Sequence, residues 1–190
     1  MCQFLQQIRR ICCLRFVEYF GKKGTAITKV SRRDIPVVLA KQDDGATTVA
    51  ATMMIAAMAG IQVFATGGIG GVHRGAQQTM DISADLDEFT KTPVMVICAG
   101  AKAILDLPLT LEYLETKGVP LFCYNTDELP AFYTYKSGIK APFRADSPKE
   151  LASVWKTKSE LGIDTGFIVA NPIPNTTDKT VATIPGNIKL

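Results

Sequence analysis

The segment PVMVICAGAK, residues 93–102, starts as an unbroken apolar run and then breaks into small residues ahead of a lysine. A run of that length fits a strand covered on both faces, the pattern of a parallel sheet between helical layers. Its neighbours repeat the pattern. QVFATGG (62–68) predicts a strand running into a glycine loop, VPLFCYN (119–125) a third strand, and TGFIVANPIP (165–174) a fourth that stops at two prolines. Between them lie helical segments. TTVAATMMIAAMAG (47–60) predicts a buried helix ended by Gly60, and LPLTLEYLETKG (107–118) a helix ended by Gly118. SPKELASVWKTKSELG (147–162) has Ser147 as N-cap, Pro148 at the first position and Glu150 to close a capping box. Leu151, Val154, Trp155 and Leu161 would line its inner face. IPVVLA (35–40) is a further short apolar run. Strands alternating with helices at this spacing predict one α/β domain with a mainly parallel sheet flanked by helices.

The chain's 190 residues suffice for one hydrophobic core. No apolar run reaches the roughly 18–20 residues that a membrane span requires, so no membrane partner is expected. Charge is uneven: residues 1–33 carry eight Lys or Arg against one acid, Glu18, and the remainder is net acidic. A nucleic-acid surface would need basic residues interleaved with aromatic or polar ones over one folded face, and the pattern here predicts no such face. The five cysteines, Cys2, Cys12, Cys13, Cys98 and Cys123, lack CxxC spacing, which argues against a zinc site or a disulfide framework. Cys98 and Cys123 lie in apolar runs and are expected to be core thiols in a reducing compartment. MCQFLQQIRRICCLRFVEYF (1–20) is apolar, Arg-bearing and acid-poor like an organellar targeting helix, but has no serine and no cleavage pattern. The expected location is cytoplasmic, with a mitochondrial one as the alternative.

Ligands of open α/β sheets gather where strands run out into loops. Four glycines fall within residues 67–71, followed by the single histidine, His73, and by Arg74. Glycines allow backbone N–H groups to approach a phosphate, yet the spacing matches neither a dinucleotide fingerprint nor a P-loop. A structural turn explains the same residues. In CAGAK (98–102) a small-residue turn brings Lys102 to the start of the next helix. Helix polarity and partial burial would both favour the neutral amine, the nucleophile of Schiff-base chemistry. A solvated surface lysine is the other reading. Asp81 and Asp85 would share one helix face and offer hard oxygen ligands to Mg²⁺ or Mn²⁺, or else Asp81 or Ser83 caps a short helix. Lys29, Arg32 and Arg33 are further candidate anion partners, or a solvated basic face.

KVSRRD, DGATTVAATM, FATGGIGGVHRGA, MDISADL, ICAGAKAILDLPLTLEYLETKGVP and GFIVANPIP together resemble the pseudouridine-5′-phosphate glycosidase, or indigoidine synthase A, family. The resemblance runs over residues 25–174. It implies reversible cleavage of the C–C glycosidic bond of pseudouridine 5′-phosphate to uracil and ribose 5-phosphate, in a homotrimer. It implies Lys102 as nucleophile, through an imine-type adduct, and Asp81 holding Mn²⁺ largely through water. Lys29, Val49, Ser83, Ala84 and Asp85 would contact substrate, with Thr66 and His73 at the same site. Family members are longer and carry an upstream glutamate as proton donor. Residues 1–24 and 175–190 are therefore expected to be atypical segments around the central part of such an enzyme. The alternative is a non-catalytic remnant that binds phosphosugar or metal.

Overall fold

The computed structural model describes residues 14–134 and 137–174. The elements are α1 (Leu14–Lys23), β1 (Thr28–Val30), α2 (Ile35–Lys41), β2 (Gly45–Thr47), α3 (Val49–Met58), β3 (Val63–Ala65), α4 (Ala76–Thr79) and α5 (Ala84–Phe89). They continue with β4 (Met95–Cys98), α6 (Leu107–Thr116), β5 (Leu121–Tyr124), β6 (Phe143–Ala145), α7 (Pro148–Glu160) and β7 (Phe167–Ala170). The targeting-like residues 1–13, with Cys2, Cys12 and Cys13, and the tail 175–190 lie outside the described residues. Among the described residues, no helix is long and apolar enough to cross a membrane.

The main sheet has five strands in the order β3-β4-β7-β5-β6, every neighbouring pair parallel. The strand period of two divides its centre between two cores. Val96 and Cys98 of β4, with Ile168 and Ala170 of β7, face a core that includes Met53, Leu86, Phe89 and Leu114 from α3, α5 and α6. The alternate residues Met95, Phe167 and Val169 face Leu151, Val154 and Trp155 of α7. Trp155 stands edge-on to Phe167 at 6.0 Å, and Phe167 stacks on Phe122 at 5.1 Å. Each fully buried Ile, Leu or Phe here contributes about 1.5–3 kcal/mol. This is the double cover that the apolar run at residues 93–100 predicts.

The short run IPVVLA is a helix, because β1 and β2 are parallel and need a crossover between them. Those two strands form a separate small sheet, with Lys29 opposite Ala46 and Val30 opposite Thr47. Val30 and Ile35 pack with Ala51 of α3, which docks the small sheet on the domain.

α7 begins as its sequence predicts, with Ser147 Oγ accepting the Glu150 N–H at 3.2 Å. Glu150 does not return to Ser147: its carboxylate accepts the N–H of Asp146 at 3.0 Å, one residue earlier. Leu161 is 69% exposed, since the helix ends at Glu160 and its neighbour leaves the inner face. The edge strand β6 carries Arg144, bound to Asp127 and Asp146 at 2.7 Å each. Cys98 and Cys123 are buried free thiols, as expected.

Candidate active site

A cavity of about 640 Å³ opens between the small sheet, the glycine loop and the turn after β4. Lys29, Val49, His73, Asp81, Ser83, Ala84, Asp85 and Lys102 all line it. Ser31, Thr47, Thr48, Ile104 and Leu105, which the motif reading does not single out, are also part of the wall. Thr48 had a readable signal: a hydroxyl before an apolar helix is an N-cap, and its side chain accepts the Ala51 N–H. Thr66 is not among the lining residues, and its N–H extends the β3–β4 ladder by donating to Ile97 O at 2.9 Å.

Asp85 organises the floor. Its Oδ1 accepts the N–H of Ala50, in the first turn of α3, and its Oδ2 accepts the N–H of Gly70, both at 2.9 Å. The residue is 7% exposed. Gly70 must lack a side chain, because a Cβ there would press on Ser83 Cβ at 2.6 Å and Asp85 Oδ2 at 2.9 Å. Ser83 caps α5 by accepting the Asp85 N–H.

Asp81 precedes α5 instead of lying on it, so Asp81 and Asp85 do not share a helix face. The chain turns between them to seat Asp81 beside His73: the His73 N–H donates to Asp81 O at 3.0 Å, and His73 Nδ1 lies 3.6 Å from Asp81 Oδ2. Asp85 accepts a backbone N–H on each oxygen, whereas the Asp81 carboxylate is exposed.

Four amides of the glycine loop and the residues after it are committed within the fold. The amides of Ile69, Gly70, Val72 and His73 donate to Gly100 O, Asp85 Oδ2, Thr110 Oγ1 and Asp81 O, respectively. The glycines serve close packing. Lys102 does not open the next helix either. α6 starts at Leu107, capped by Asp106 Oδ1, which accepts the Leu109 N–H. Lys102 is exposed in the preceding turn and held through its own N–H to Ile69 O at 3.3 Å.

Of the basic residues in the KVSRRD run, only Lys29 lines the cavity. Arg32 grips Glu88 through Nε and Nη2, at 2.6 and 2.5 Å, and Arg33 Nε meets Asp34 at 3.1 Å. Arg74 makes one long contact, to Ala103 O at 3.5 Å. Among the described residues, no three His, Cys, Asp or Glu side chains cluster as a metal cage.

A model of the family described as indigoidine synthase A like protein matches residues 14–189. The pseudouridine-5′-phosphate glycosidase of Clostridium botulinum is 63% identical over 158 residues, covering 83% of this chain and 52% of the relative. That of Hahella chejuensis is 61% identical over the same shares. The crystal structure of the prealnumycin C-glycosynthase AlnA in complex with ribulose 5-phosphate matches with a TM-score of 0.81 at 43% identity, over 86% of this chain and 53% of that one. An indigoidine synthase A-like protein from Thermotoga maritima matches with a TM-score of 0.77 at 37% identity, over 83% and 52%. The chain spans about half the length of the curated relatives it matches. It belongs to the indigoidine synthase A-like family.

Proposed function

We propose that this member of the indigoidine synthase A-like family reversibly cleaves the C–C glycosidic bond of pseudouridine 5′-phosphate, giving uracil and ribose 5-phosphate through a covalent adduct on Lys102. The observation that carries the reading is convergence. Lys102, Lys29, His73, Asp81 and Ser83 come from separate segments to one cavity of about 640 Å³, large enough for a nucleotide. The relatives named for this activity, and the neighbour bound to a five-carbon sugar phosphate, support the same class of substrate.

Uracil bonded through carbon is a poor leaving group, and a lysine adduct makes the bond labile. The Lys102 amine bonds to C1′ as the C1′–O4′ bond breaks, and the ring oxygen takes a proton. Uracil C5 is then protonated while the C1′–C5 electron pair goes to it, and the nitrogen lone pair forms the iminium of ribose 5-phosphate. Water hydrolyses that iminium and regenerates the amine. Lys29 and Ser83 hold the phosphate, and Val49 and Ala84 bound the sugar. Asp85 contributes by fixing the backbone around them.

The exposed Asp81 carboxylate beside His73 suits a hard cation such as Mn²⁺ that keeps most of its water. When bound there, the ion supplies positive charge near the anionic substrate. Assembly as a homotrimer and action in the cytoplasm complete the proposal, the latter in keeping with the free thiols Cys98 and Cys123.

Borohydride reduction in the presence of ribose 5-phosphate and Mn²⁺ tests the reading. Peptide mass spectrometry should find the sugar on Lys102, and Lys102→Ala should lack it. Folded protein that yields no adduct at Lys102 overturns it.

A further inference from the structure

The turn after β4 is held by a third segment that none of the motif residues belongs to. Phe132 has a φ of +61°, in the left-handed region that a bulky side chain rarely occupies. Such a conformation persists only where its surroundings enforce it, and it marks positions where backbone placement matters. Its surroundings here are the two arms of the site. The Phe132 N–H donates to Ala99 O at 2.8 Å, and Gly100 forms an antiparallel bridge with Ala131. The Phe132 ring lies on Gly68, where an added Cβ would come within 2.7 Å of Cε2, and it touches the place of a Gly67 Cβ at 3.5 Å.

These contacts meet a ladder that ends at the nucleophile. Ala99 N–H donates to Gly67 O, Ile69 N–H to Gly100 O and Lys102 N–H to Ile69 O, at 3.0, 3.1 and 3.3 Å. The last bond is the longest of the three, and Lys102 is exposed beyond it. Its position therefore depends on how firmly the two arms are pressed together further back. Phe132 bonds one arm through its backbone and packs on the other through its ring. Gly68 and Gly100 lack side chains where this third segment approaches, since a Cβ on Gly100 would collide with Pro130 O.

We propose that Phe132 is a positioning residue. It clamps the glycine loop to the turn after β4 and so sets the reach of the Lys102 amine into the cavity. This rests on the role of Lys102 proposed above. It adds a residue that would touch neither substrate nor metal.

The test compares Phe132→Ala and Phe132→Tyr with the unaltered chain. Hydrogen exchange is read first, without substrate. In Phe132→Ala the amides of Ile69, Ala99 and Lys102 should exchange roughly tenfold faster or more, while those pairing β4 with β7 keep their protection. Phe132→Tyr, which retains the ring, should restore slow exchange. Borohydride trapping is read second. Its rate at Lys102 should fall about tenfold in Phe132→Ala with the half-saturating ribose 5-phosphate concentration unchanged, because Lys29 and Ser83 stand on other elements. Unchanged exchange at the three amides, or a rise spread evenly through the sheet, overturns the proposal. So does a trapping defect that appears only as weaker saturation. An unaltered chain that traps no sugar at Lys102 would defeat the glycosidase reading, and the exchange experiment would still decide the clamp.

Discussion

Asp85 is bonded to Gly70 across the floor of the cavity, carboxylate Oδ2 to backbone N–H at 2.9 Å, and its other oxygen holds Ala50 at the same distance. One buried side chain thus joins the glycine loop to the first turn of α3. Asp85→Asn keeps one acceptor but turns an N–H₂ toward a backbone donor, which should cost about 1.5–3 kcal/mol. Asp85→Ala strands both amides and should cost more. Gly70→Ala should weaken the same clamp from the other side by about 1–3 kcal/mol. Urea denaturation checks the order, and an Asp85→Ala protein as stable as the parent would show that the clamp carries no weight.

Glu88 is 1% exposed, while the Arg32 side chain that holds it is 43% exposed. The pair should therefore break asymmetrically. Arg32→Met leaves a carboxylate buried with Thr92 as its remaining side-chain partner, at a cost of about 3 kcal/mol. Glu88→Gln leaves a guanidinium that can turn to water, and should cost less. Thermal melts of the two variants settle it; equal losses, or the reverse order, contradict the argument.

Lys102 and Lys29 are both exposed, and neither has a side-chain hydrogen bond or ion pair among the described residues. Replacing either by Ala should shift stability by no more than about 0.5 kcal/mol. Their chemical effects should differ. Lys102→Ala should abolish the sugar adduct, whereas Lys29→Ala should raise the half-saturating ribose 5-phosphate concentration and leave the limiting trapping rate close to normal. A Lys29→Ala protein that saturates normally would remove Lys29 from the phosphate site.

Manganese binding can be read directly by electron paramagnetic resonance, apart from activity. Asp81→Asn should weaken binding by about tenfold or more, and His73→Ala less, since an ion held largely through water depends first on carboxylate charge. Equal binding to parent and Asp81→Asn would place the ion elsewhere.

Burial pushes the thiols of Cys98 and Cys123 up, to about 11 and about 12, against 9.0 for a free thiol. Above pH 9 the unfolded chain therefore releases protons that the folded chain keeps, so stability falls as pH rises from about 9 toward those values. Below pH 9 the two thiols contribute no pH dependence. Shifts of this size correspond to roughly 3–4 kcal/mol per thiol. The urea midpoint of Cys98→Ala/Cys123→Ala should decline less steeply than the parent's between pH 9 and 11. Parallel declines would mean that the thiols meet solvent in the folded protein.

By itself the sequence determined the layers of this protein. The runs at residues 93–100, 119–125 and 165–174 are apolar on both faces, which only a doubly covered strand tolerates, and Ser147-Pro148 announces α7 through local hydrogen bonding. It also marked the residues of the cavity, because the family motifs are long and contiguous. The tertiary structure decided what each of those residues is free to do. Arg32 and Lys29 are near neighbours in the chain, yet one is spent on Glu88 and the other faces the cavity. Asp81 and Asp85 look alike at a spacing of four, but the turn before α5 exposes the first and buries the second against two backbone amides. Likewise, the glycine loop reads as a run of free amides, yet Asp85 takes up that of Gly70, and Gly100 and Thr110 take up those of Ile69 and Val72. Local rules fix a strand or a cap because the partners lie within a few residues; a charge or an N–H is committed by whatever packs beside it, and here that partner lies tens of residues away.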